Sequence, residues 1–455
     1  MIEIRTSRNQ TQSDAGVSLI EVLVAMVVFS IIALGVGASL LTLVRMTEDT
    51  RSRLVASNLA TSEIDLVRGL NDPFAAVNTT KTQSVSGTTF TVARSTSWVE
   101  FSGADVGCGS TGATMRSKRV NVTVTWQGML TTTRPVRSDT LISPEDRIND
   151  PSLGTIRVSV LTPAGTGSPG VSVSVTRTSS GTGLAEQPPA TDSDGCSYAL
   201  KVPPGSYSVA ISRAGSVDGK QIASPSMALE VAAGASVAAQ FEYDYAATFN
   251  LAYASNYAGA TPKLPENLVT SFVSTYGVFP QSGRSSQAVL APVTSGYTAI
   301  AGKYAAPVTG NAGCLSVDPA SWTEGTAAGA NVAAGQRTPN VAAAPGGQAN
   351  LGIGMGVVSV FTTADLYIFA VPATAPAAAN APGCAANTTY AFGKLTKGTN
   401  VLALPYGSWT FATSTSADGK SSAATIPVSS VSVLGTTPRP VAGSGVTTLD
   451  PRPPR

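Results

Sequence analysis

The feature that most limits what this chain can fold into is a long uncharged segment close to its N-terminus. No charged residue lies between Val22 and Val44, and Val, Ile, Leu, Ala and Met dominate the segment. As a helix rising about 1.5 Å per residue it is about 35 Å long, enough to cross a hydrocarbon core of about 30 Å. Because a helix closes its backbone hydrogen bonds internally, the segment is predicted to span a membrane.

A single carboxylate, Glu21, begins this helix, and a polar leader that ends in Gly16 precedes it. A secretory signal peptide has neither a leader of this kind nor an acid inside its apolar core. The pattern therefore predicts a cut before the helix, which stays on the protein. A carboxylate near a bilayer costs about 2.5–3.5 kcal/mol, so Glu21 needs a partner. A cut between Gly16 and Val17 would create a positive α-amino group that can pair with Glu21 of a neighbouring subunit.

The stretch Gly16-Val17-Ser18-Leu19-Ile20-Glu21 and the apolar run after it resemble the class III signal of type IV pilins and of type II secretion pseudopilins. The resemblance extends to Leu70. It implies that a prepilin peptidase cleaves after Gly16 and methylates Val17, which stands where the family usually has Phe or Met. It also implies that Glu21 directs assembly. A plain signal anchor with an incidental glutamate is the competing interpretation.

The same resemblance implies a set of partners and a location. The partners are the prepilin peptidase, other pilin or pseudopilin subunits that contact the N-terminal helix, and an inner-membrane assembly platform. The chain would be a single-pass cytoplasmic membrane protein that then enters a filament, with its C-terminal domains on the extracytoplasmic side.

Composition argues against an enzyme. The chain contains no histidine, which removes Ser-His-Asp and Cys-His catalysis and the commonest zinc ligand. We find no phosphate-binding P-loop and no GxSxG turn, and we predict no catalytic residue, no cofactor and no metal. A net charge of +2 with 12% charged residues gives no electrostatic reason to expect nucleic-acid binding.

The four cysteines, Cys108, Cys196, Cys314 and Cys384, are widely spaced and form no CxxC pair. A secreted setting favours disulfides, and four cysteines allow three pairings. We favour Cys314 with Cys384, which leaves Cys108 and Cys196 either paired with each other or free.

The predicted fold class is mainly β with one long N-terminal helix: a pilin-like α+β head followed by tandem antiparallel β-sandwich units. The predicted segments are a leader at 1–16, a transmembrane and assembly helix at 17–44, its amphipathic continuation at 45–72, a β head at 73–148, sandwich-like units at 154–245, 246–356 and 357–448, and a disordered tail at 449–455.

The head is predicted from apolar periodicity. Leu54, Val55, Leu59, Ile64, Leu66 and Val67 mark the amphipathic part of the helix. Alternating patterns predict strands at Thr88–Val99 and Val120–Trp126. After a turn at Gln127-Gly128, the stretch Leu130–Ile142 is predicted to return as the next strand.

Residues 154–245 resemble the immunoglobulin-like or prealbumin-like sandwiches of surface proteins, such as the collagen-adhesin B-type repeat and the carboxypeptidase regulatory-like domain. The resemblance rests on Thr191-Asp192-Ser193-Asp194-Gly195 and on Val202-Pro203-Pro204-Gly205-Ser206-Tyr207. Leu404-Pro405-Tyr406-Gly407-Ser408-Trp409 matches the second motif, and a looser copy runs from Val289 to Tyr297, which suggests repeated units. The Ala/Gly/Pro-rich stretch Thr326–Asn350 is predicted to be a loop or linker.

Two motifs have a functional and a structural interpretation. Asp192 and Asp194 could belong to a calcium loop, but the later acidic ligand is missing, so a hairpin turn is favoured. Tyr207, Tyr297 and Trp409 could form a sugar-binding surface, but core packing at strand corners is favoured.

The sequence thus predicts a minor pilin or pseudopilin, a non-enzymatic subunit of a type IV pilus or type II secretion-like filament. Its β-sandwich module could serve tip adhesion by binding a surface glycan or protein. The alternative is a membrane-anchored surface adhesin that does not assemble into a filament.

Overall fold

The computed structural model describes residues 19–70, 73–100, 103–110, 117–129, 133–143, 150–306, 308–309, 313–327, 329–373, 382–384, 388–419, 424–435, 439–440 and 445–455. The predicted leader 1–16, with Gly16, and the new N-terminus Val17 lie outside these ranges. Contacts divide the chain into two compact units, 1–107 with 114–148, and 108–113 with 149–455. The predicted fold class is confirmed, with one long N-terminal helix and a mainly β remainder.

The first unit consists of a 50-residue helix and a small antiparallel sheet. Helix α1 ends at Arg68, followed by the turn in which the Gly69 amide donates to the Asp65 carbonyl at 2.9 Å. The sheet order is β1-β2-β4-β5, with β3 paired to β2. The elements are α1 (Leu19–Arg68), a 3₁₀ turn (Pro73–Ala75), β1 (Thr79–Val85), β2 (Thr88–Val99), β3 (Asp105–Val106), β4 (Ser117–Trp126) and β5 (Val136–Ile142).

The strands of the head follow their local sequence. Ser86 and Gly87 both have positive φ, 50° and 82°, so β1 and β2 meet in a turn that matches the twist of a hairpin. Strand β5 begins only at Val136, six residues later than predicted, because Pro135 has no amide to donate to the ladder. Leu130 itself lies outside the described residues.

The face of α1 that packs on the sheet agrees with the predicted one except at two leucines. Ile64 and Val67 are buried, and Val55 and Leu59 pack against the same core. Leu54 and Leu66 are instead 65% and 53% exposed. The fully buried positions of α1 follow a helical spacing: Ala56, Ala60, Glu63, Ile64 and Val67. Small alanine side chains let the helix backbone approach the sheet closely.

The second unit begins with a two-sheet sandwich. One sheet has the order β10-β12-β6-β8 and the other β11-β9-β7, and valines and isoleucines from both form its core. Strand β12 pairs with β6 in parallel, unlike the other pairs of this sandwich. The strands are β6 (Gly154–Leu161), β7 (Ser172–Arg177), β8 (Cys196–Val202), β9 (Gly205–Ser212), β10 (Ser216–Asp218), β11 (Ser226–Val231) and β12 (Ser236–Tyr245).

The remainder of the second unit, residues 247–455, is called the distal body here. Its strands are β13 (Ala247–Tyr253), β14 (Val269–Ser274), β15 (Gly277–Ser282), β16 (Gln287–Leu290), β17 (Thr298–Ala301), β18 (Gly325–Ala327), β19 (Ala330–Val332), β20 (Gln348–Ile353), β21 (Gly356–Thr362), β22 (Leu366–Pro372), β23 (Tyr390–Leu395), β24 (Gly398–Leu404), β25 (Gly407–Ser414), β26 (Ala424–Thr425), β27 (Val431–Leu434), β28 (Arg439–Pro440) and β29 (Thr447–Leu449), with 3₁₀ turns at Pro319–Ser321 and Val428–Ser430.

One hydrophobic cluster runs through the distal body from Ala247 to Leu449. Both predicted units, 246–356 and 357–448, contribute buried residues to it, and Lys263 forms a bridge with Leu402 across the proposed boundary. The sheets are mostly antiparallel, but β13 pairs with β20 in parallel. The two predicted units therefore share a core, and their separation at 356 stays a proposal.

The predicted loop and the predicted disordered tail are both packed on the distal body. Residues 333–347 form irregular backbone, as expected of a loop, but Val332 is 1% exposed, and the backbones of Tyr297 and Val341 exchange two 2.9 Å hydrogen bonds. In the tail, Leu449 and Arg452 are 1% and 0% exposed. The tail prediction is wrong because local composition does not reveal the buried partners that these prolines and Arg452 meet far away in sequence.

Candidate membrane and assembly helix

The N-terminal half of α1 holds the predicted assembly residue. Glu21 lies in the first turn of the helix and its side chain is exposed. The N-terminal end of a helix carries a partial positive charge, which favours a carboxylate in that turn. Gly16 and Val17, the predicted cleavage and methylation residues, lie outside the described residues, so their distance from Glu21 is not a feature of this structure.

The apolar half of α1 is exposed along its length. Phe29 and Leu34 are 72% and 74% exposed, and the most apolar 18-residue window has a mean hydropathy of 2.8 with none of its residues buried. By length and composition this helix can cross a membrane. An apolar surface of this extent needs lipid or other helices to cover it.

The polar side chains of the apolar half are satisfied within the helix. The hydroxyls of Ser30, Ser39 and Thr42 donate to the carbonyls four residues earlier, at 2.7, 2.9 and 2.9 Å. Space around Gly35 and Gly37 is open, since no atom lies within 4 Å of a Cβ built on either residue. Small residues here allow a neighbouring helix to approach closely.

The C-terminal half of α1, which packs on the head, carries a buried charge, Glu63, that was not predicted from the sequence. Glu63 is 3% exposed, forms an ion pair with Lys81, and accepts from Nη1 of Arg94 at 2.9 Å. Nε of Arg94 donates to the Val77 carbonyl at 2.8 Å. The sequence did contain a signal that could have predicted this burial. Glu63 lies seven residues after Ala56 and three after Ala60, a spacing that places it on the same face of the helix.

A second acid anchors α1 where the apolar segment ends. Asp49 accepts from the indole Nε1 of Trp126 at 3.2 Å and from the hydroxyl of Thr133 at 2.7 Å. These bonds join the helix to the end of β4 and the loop after it. The apolar half is thus continuous with a half that the head holds in place.

The four cysteines form two disulfides in the structure, Cys108–Cys196 and Cys314–Cys384. The first bond holds Cys108, which follows β3 in the chain, to Cys196 of the second unit's first sandwich. Among the described residues, no group of three or more His, Cys, Asp or Glu side chains could hold a metal ion. The Asp192 carboxylate instead accepts from the amides of Asp194 and Cys196, as a turn requires.

The strand-corner motif occurs twice with the same geometry. The Tyr207 hydroxyl donates to the Pro203 carbonyl at 2.7 Å, and the indole Nε1 of Trp409 donates to the Pro405 carbonyl at 3.0 Å. Both aromatic side chains are buried, which confirms the core-packing interpretation. A glycine lies between the proline and the aromatic residue in each corner. Gly205 has a φ of 148° and Gly407 a φ of 140°, a conformation that favours glycine.

The looser copy of the motif behaves differently. Tyr297 is fully buried, but its hydroxyl accepts from Nε2 of Gln221 at 2.9 Å, and Oε1 of Gln221 accepts from the Ala291 amide. Gln221 follows β10 of the first sandwich, so this side chain links that sandwich to the distal body. Tyr297 is therefore a buried residue at the contact between the first sandwich and the distal body, not part of a binding surface.

The comparisons with known proteins locate a family signature in α1. The model of the prokaryotic N-terminal methylation motif matches residues 11–37, a range that includes Gly16, Val17 and Glu21. The chain therefore carries a prepilin-type N-methylation motif. No curated protein sequence matches the chain significantly.

Solved structures show slight similarity to the chain. The Bacillus anthracis TIE protein is 13% identical, with a TM-score of 0.20 over 73% of this chain and 64% of its own length. A streptococcal ancillary pilin is 8% identical, with a TM-score of 0.19 over 53% of this chain and 76% of its own. A variant of BcpA, the Bacillus cereus major pilin subunit, is 13% identical, with a TM-score of 0.19 over 57% and 88%. TM-scores this low do not indicate a shared overall arrangement.

Proposed function

We propose that this chain is a non-enzymatic structural subunit of a type IV pilus or type II secretion-like filament, as a minor pilin or pseudopilin. One observation carries the proposal. Glu21 stands alone at the start of an exposed apolar half-helix, inside the matched N-methylation motif, while the other half of the same helix packs on its own head. A helix divided in this way suits insertion among neighbouring helices.

The assembly step depends on charge pairing in an apolar layer. A prepilin peptidase cuts between Gly16 and Val17 and methylates the Val17 amine, which keeps its positive charge. That amine then pairs with Glu21 of a neighbouring subunit, offsetting the cost of about 2.5–3.5 kcal/mol for a carboxylate in this layer. The Gly35 and Gly37 region lets neighbouring helices pack closely.

The second unit is the part displayed outside the membrane. An inner-membrane platform would assemble the subunits, leaving this unit extracytoplasmic. Its bulk does not suit repeated close packing along a filament, so we place the subunit at the tip or at sparse positions. Such a location would suit adhesion to a surface glycan or protein.

A membrane-anchored binding protein that never assembles is the second candidate. The cavity in the distal body is compatible with this candidate too, since a binding site would serve a plain surface anchor as well as a filament subunit. The two candidates differ in what they require of Glu21, because only assembly needs the pair with the Val17 amine.

The test is Glu21→Ala in the native host, with the sheared filament fraction probed by an antibody against the distal body. We expect incorporation to fall about tenfold or more, while the protein remains in the membrane. Glu48→Ala is the matched control, because Glu48 is an exposed acid on the same helix beyond the apolar run. Equal incorporation of the two variants would favour the unassembled anchor.

Mass spectrometry of the mature N-terminus complements this test. We expect a start at methylated Val17 in cells with the prepilin peptidase and an intact leader in cells without it. A leader that survives in both strains contradicts the processing step.

A further inference from the structure

A cavity of about 300 Å³ lies within the distal body, at the lower end of the range for small-molecule sites. Its walls come from the loop after β13, the irregular segment before β20, the turn between β20 and β21, the β24–β25 corner and the start of the tail. The side chain of Asn256 holds one wall in place. Its Nδ2 donates to the Met355 backbone carbonyl, and its Oδ1 accepts from the Met355 backbone amide, both at 2.9 Å. The cavity is therefore built on fixed backbone.

Tyr406 supplies a polar group to this cavity that the fold does not use. It lines the cavity and is 9% exposed, and its hydroxyl makes no hydrogen bond with the described residues. The corresponding position in the first corner is Pro204, so the corner itself needs no tyrosine. The hydroxyl oxygen is not among the enclosed side-chain atoms without a partner, so it keeps accessible surface and is available to a bound molecule as donor and acceptor.

The charged groups around the cavity neutralise one another. Arg337 donates from Nε and Nη2 to the two carboxylate oxygens of Asp318, at 2.8 and 2.6 Å. Asp450 is paired with Arg452 at 2.8 Å, where both side chains are buried. Burial also raises the pKa of Tyr406 to about 12, so the phenol stays neutral. Among the described residues that line the cavity, each charged side chain thus has an oppositely charged partner, and this favours a neutral ligand over an ionic one.

The remaining described wall residues are uncharged and mostly aliphatic. The neutral polar side chains among them include Tyr257, Tyr406 and the exposed Gln336. Aromatic rings combined with neutral hydroxyl and amide groups match the alternating apolar and hydroxyl faces of a sugar ring. We propose that this cavity binds a neutral monosaccharide unit, with Tyr406 hydrogen-bonded to one of its hydroxyls. The proposal is independent of filament assembly.

The test is binding of glucose, galactose, mannose and N-acetylglucosamine to the full chain, measured by ligand-observed NMR. The chain is purified in an amine-oxide detergent, because maltoside and glucoside detergents would compete. We expect at least one of the four sugars to bind and Tyr406→Phe to weaken it about fivefold, the equivalent of one hydrogen bond. Gln336→Ala, at an exposed position, is expected to weaken it as well.

Tyr253→Phe is the matched control, because the Tyr253 hydroxyl bonds to Thr270 and the residue does not line the cavity. It should leave the affinity unchanged. Absence of binding by all four sugars, or equal affinities for Tyr406→Phe and Tyr253→Phe, overturns the proposal. Tighter binding of glucuronate than of glucose overturns the neutral class. If Tyr406→Phe melts below the wild type, the test rests on Gln336→Ala. Weaker sugar binding by this variant then supports the proposal, and unchanged binding overturns it.

Discussion

At the scale of single residues, the charges in this protein divide into two kinds. Glu63 is enclosed by its own chain, with Lys81 and Arg94 as partners. Glu21 lies exposed on an apolar helix half. Both acids lie on one helix, so the different roles that we propose for them follow from their surroundings. The enclosed Glu63 would stabilise the head, and the exposed Glu21 would pair with another subunit.

Glu63→Ala is expected to destabilise the packing of α1 on the head by about 3 kcal/mol, because it leaves Arg94 buried without its carboxylate. Hydrogen exchange of the amides around Ala56–Val67 measures this, and exchange should become about a hundredfold faster. Asp65→Ala is the control, since Asp65 is 66% exposed and 3.9 Å from Arg68. Exchange in the Glu63 variant as slow as in this control would contradict the assigned role.

At the scale of elements, the recurring strand corner explains how β8 turns into β9 and β24 into β25. In both corners a buried aromatic side chain donates to a proline carbonyl four residues earlier. Pro203 and Pro405 lie between the two strands of each corner, outside the ladder, and the aromatic donor satisfies their carbonyls. The shared geometry supports the sequence match between the two motifs.

Tyr207→Phe tests the corner by removing only the hydroxyl. We expect the sandwich of β6–β12 to lose about 1 kcal/mol, because the Pro203 carbonyl loses its donor in a buried place. Thermal unfolding followed by circular dichroism measures the loss. Tyr245→Phe, on a tyrosine of β12 that is 46% exposed, should unfold like the wild type. The corner assignment fails if the two variants unfold at one temperature.

At the scale of the whole molecule, the C-terminal segment completes the distal body. Arg452 lies 5.4 Å from the centre of the Trp322 ring and donates to the Thr323 carbonyl at 2.9 Å, in addition to its pair with Asp450. The Ala333 amide donates to the Pro453 carbonyl at 3.0 Å. Residues at the end of the chain thereby hold segments more than a hundred positions earlier.

Arg452→Met is expected to lower the stability of the distal body by about 3–5 kcal/mol, because Asp450 stays buried without its partner. Urea unfolding followed by tryptophan fluorescence gives the change in midpoint. Arg455→Met is the control, since Arg455 is 59% exposed and pairs with the exposed Glu324. A midpoint shift of the same size in both variants would show that the buried pair is not what stabilises the segment.

The sequence by itself determined the features that depend on neighbouring residues. The apolar helix with Glu21, strands β2 and β4 of the head, the Asp192 turn and the two proline corners all follow from spacing within a few residues, since hydrophobic periodicity and turn chemistry are local. Those features include Glu21, the proposed assembly residue, whereas Gly16 and Val17 lie outside the described part of the chain.

Only the tertiary structure decided the features that depend on residues far apart in the chain. These are the buried alanines of α1, the partners of Glu63, the pairing of Cys108 with Cys196, the shared core of the distal body, the packed tail and the cavity at Tyr406. Each of these features depends on contacts between segments that are far apart in the sequence. Local composition and spacing do not determine which distant segments come into contact. Tyr406 and Pro204 hold the same place in one local motif, and the strands around Tyr406 are what place it at the cavity of the distal body.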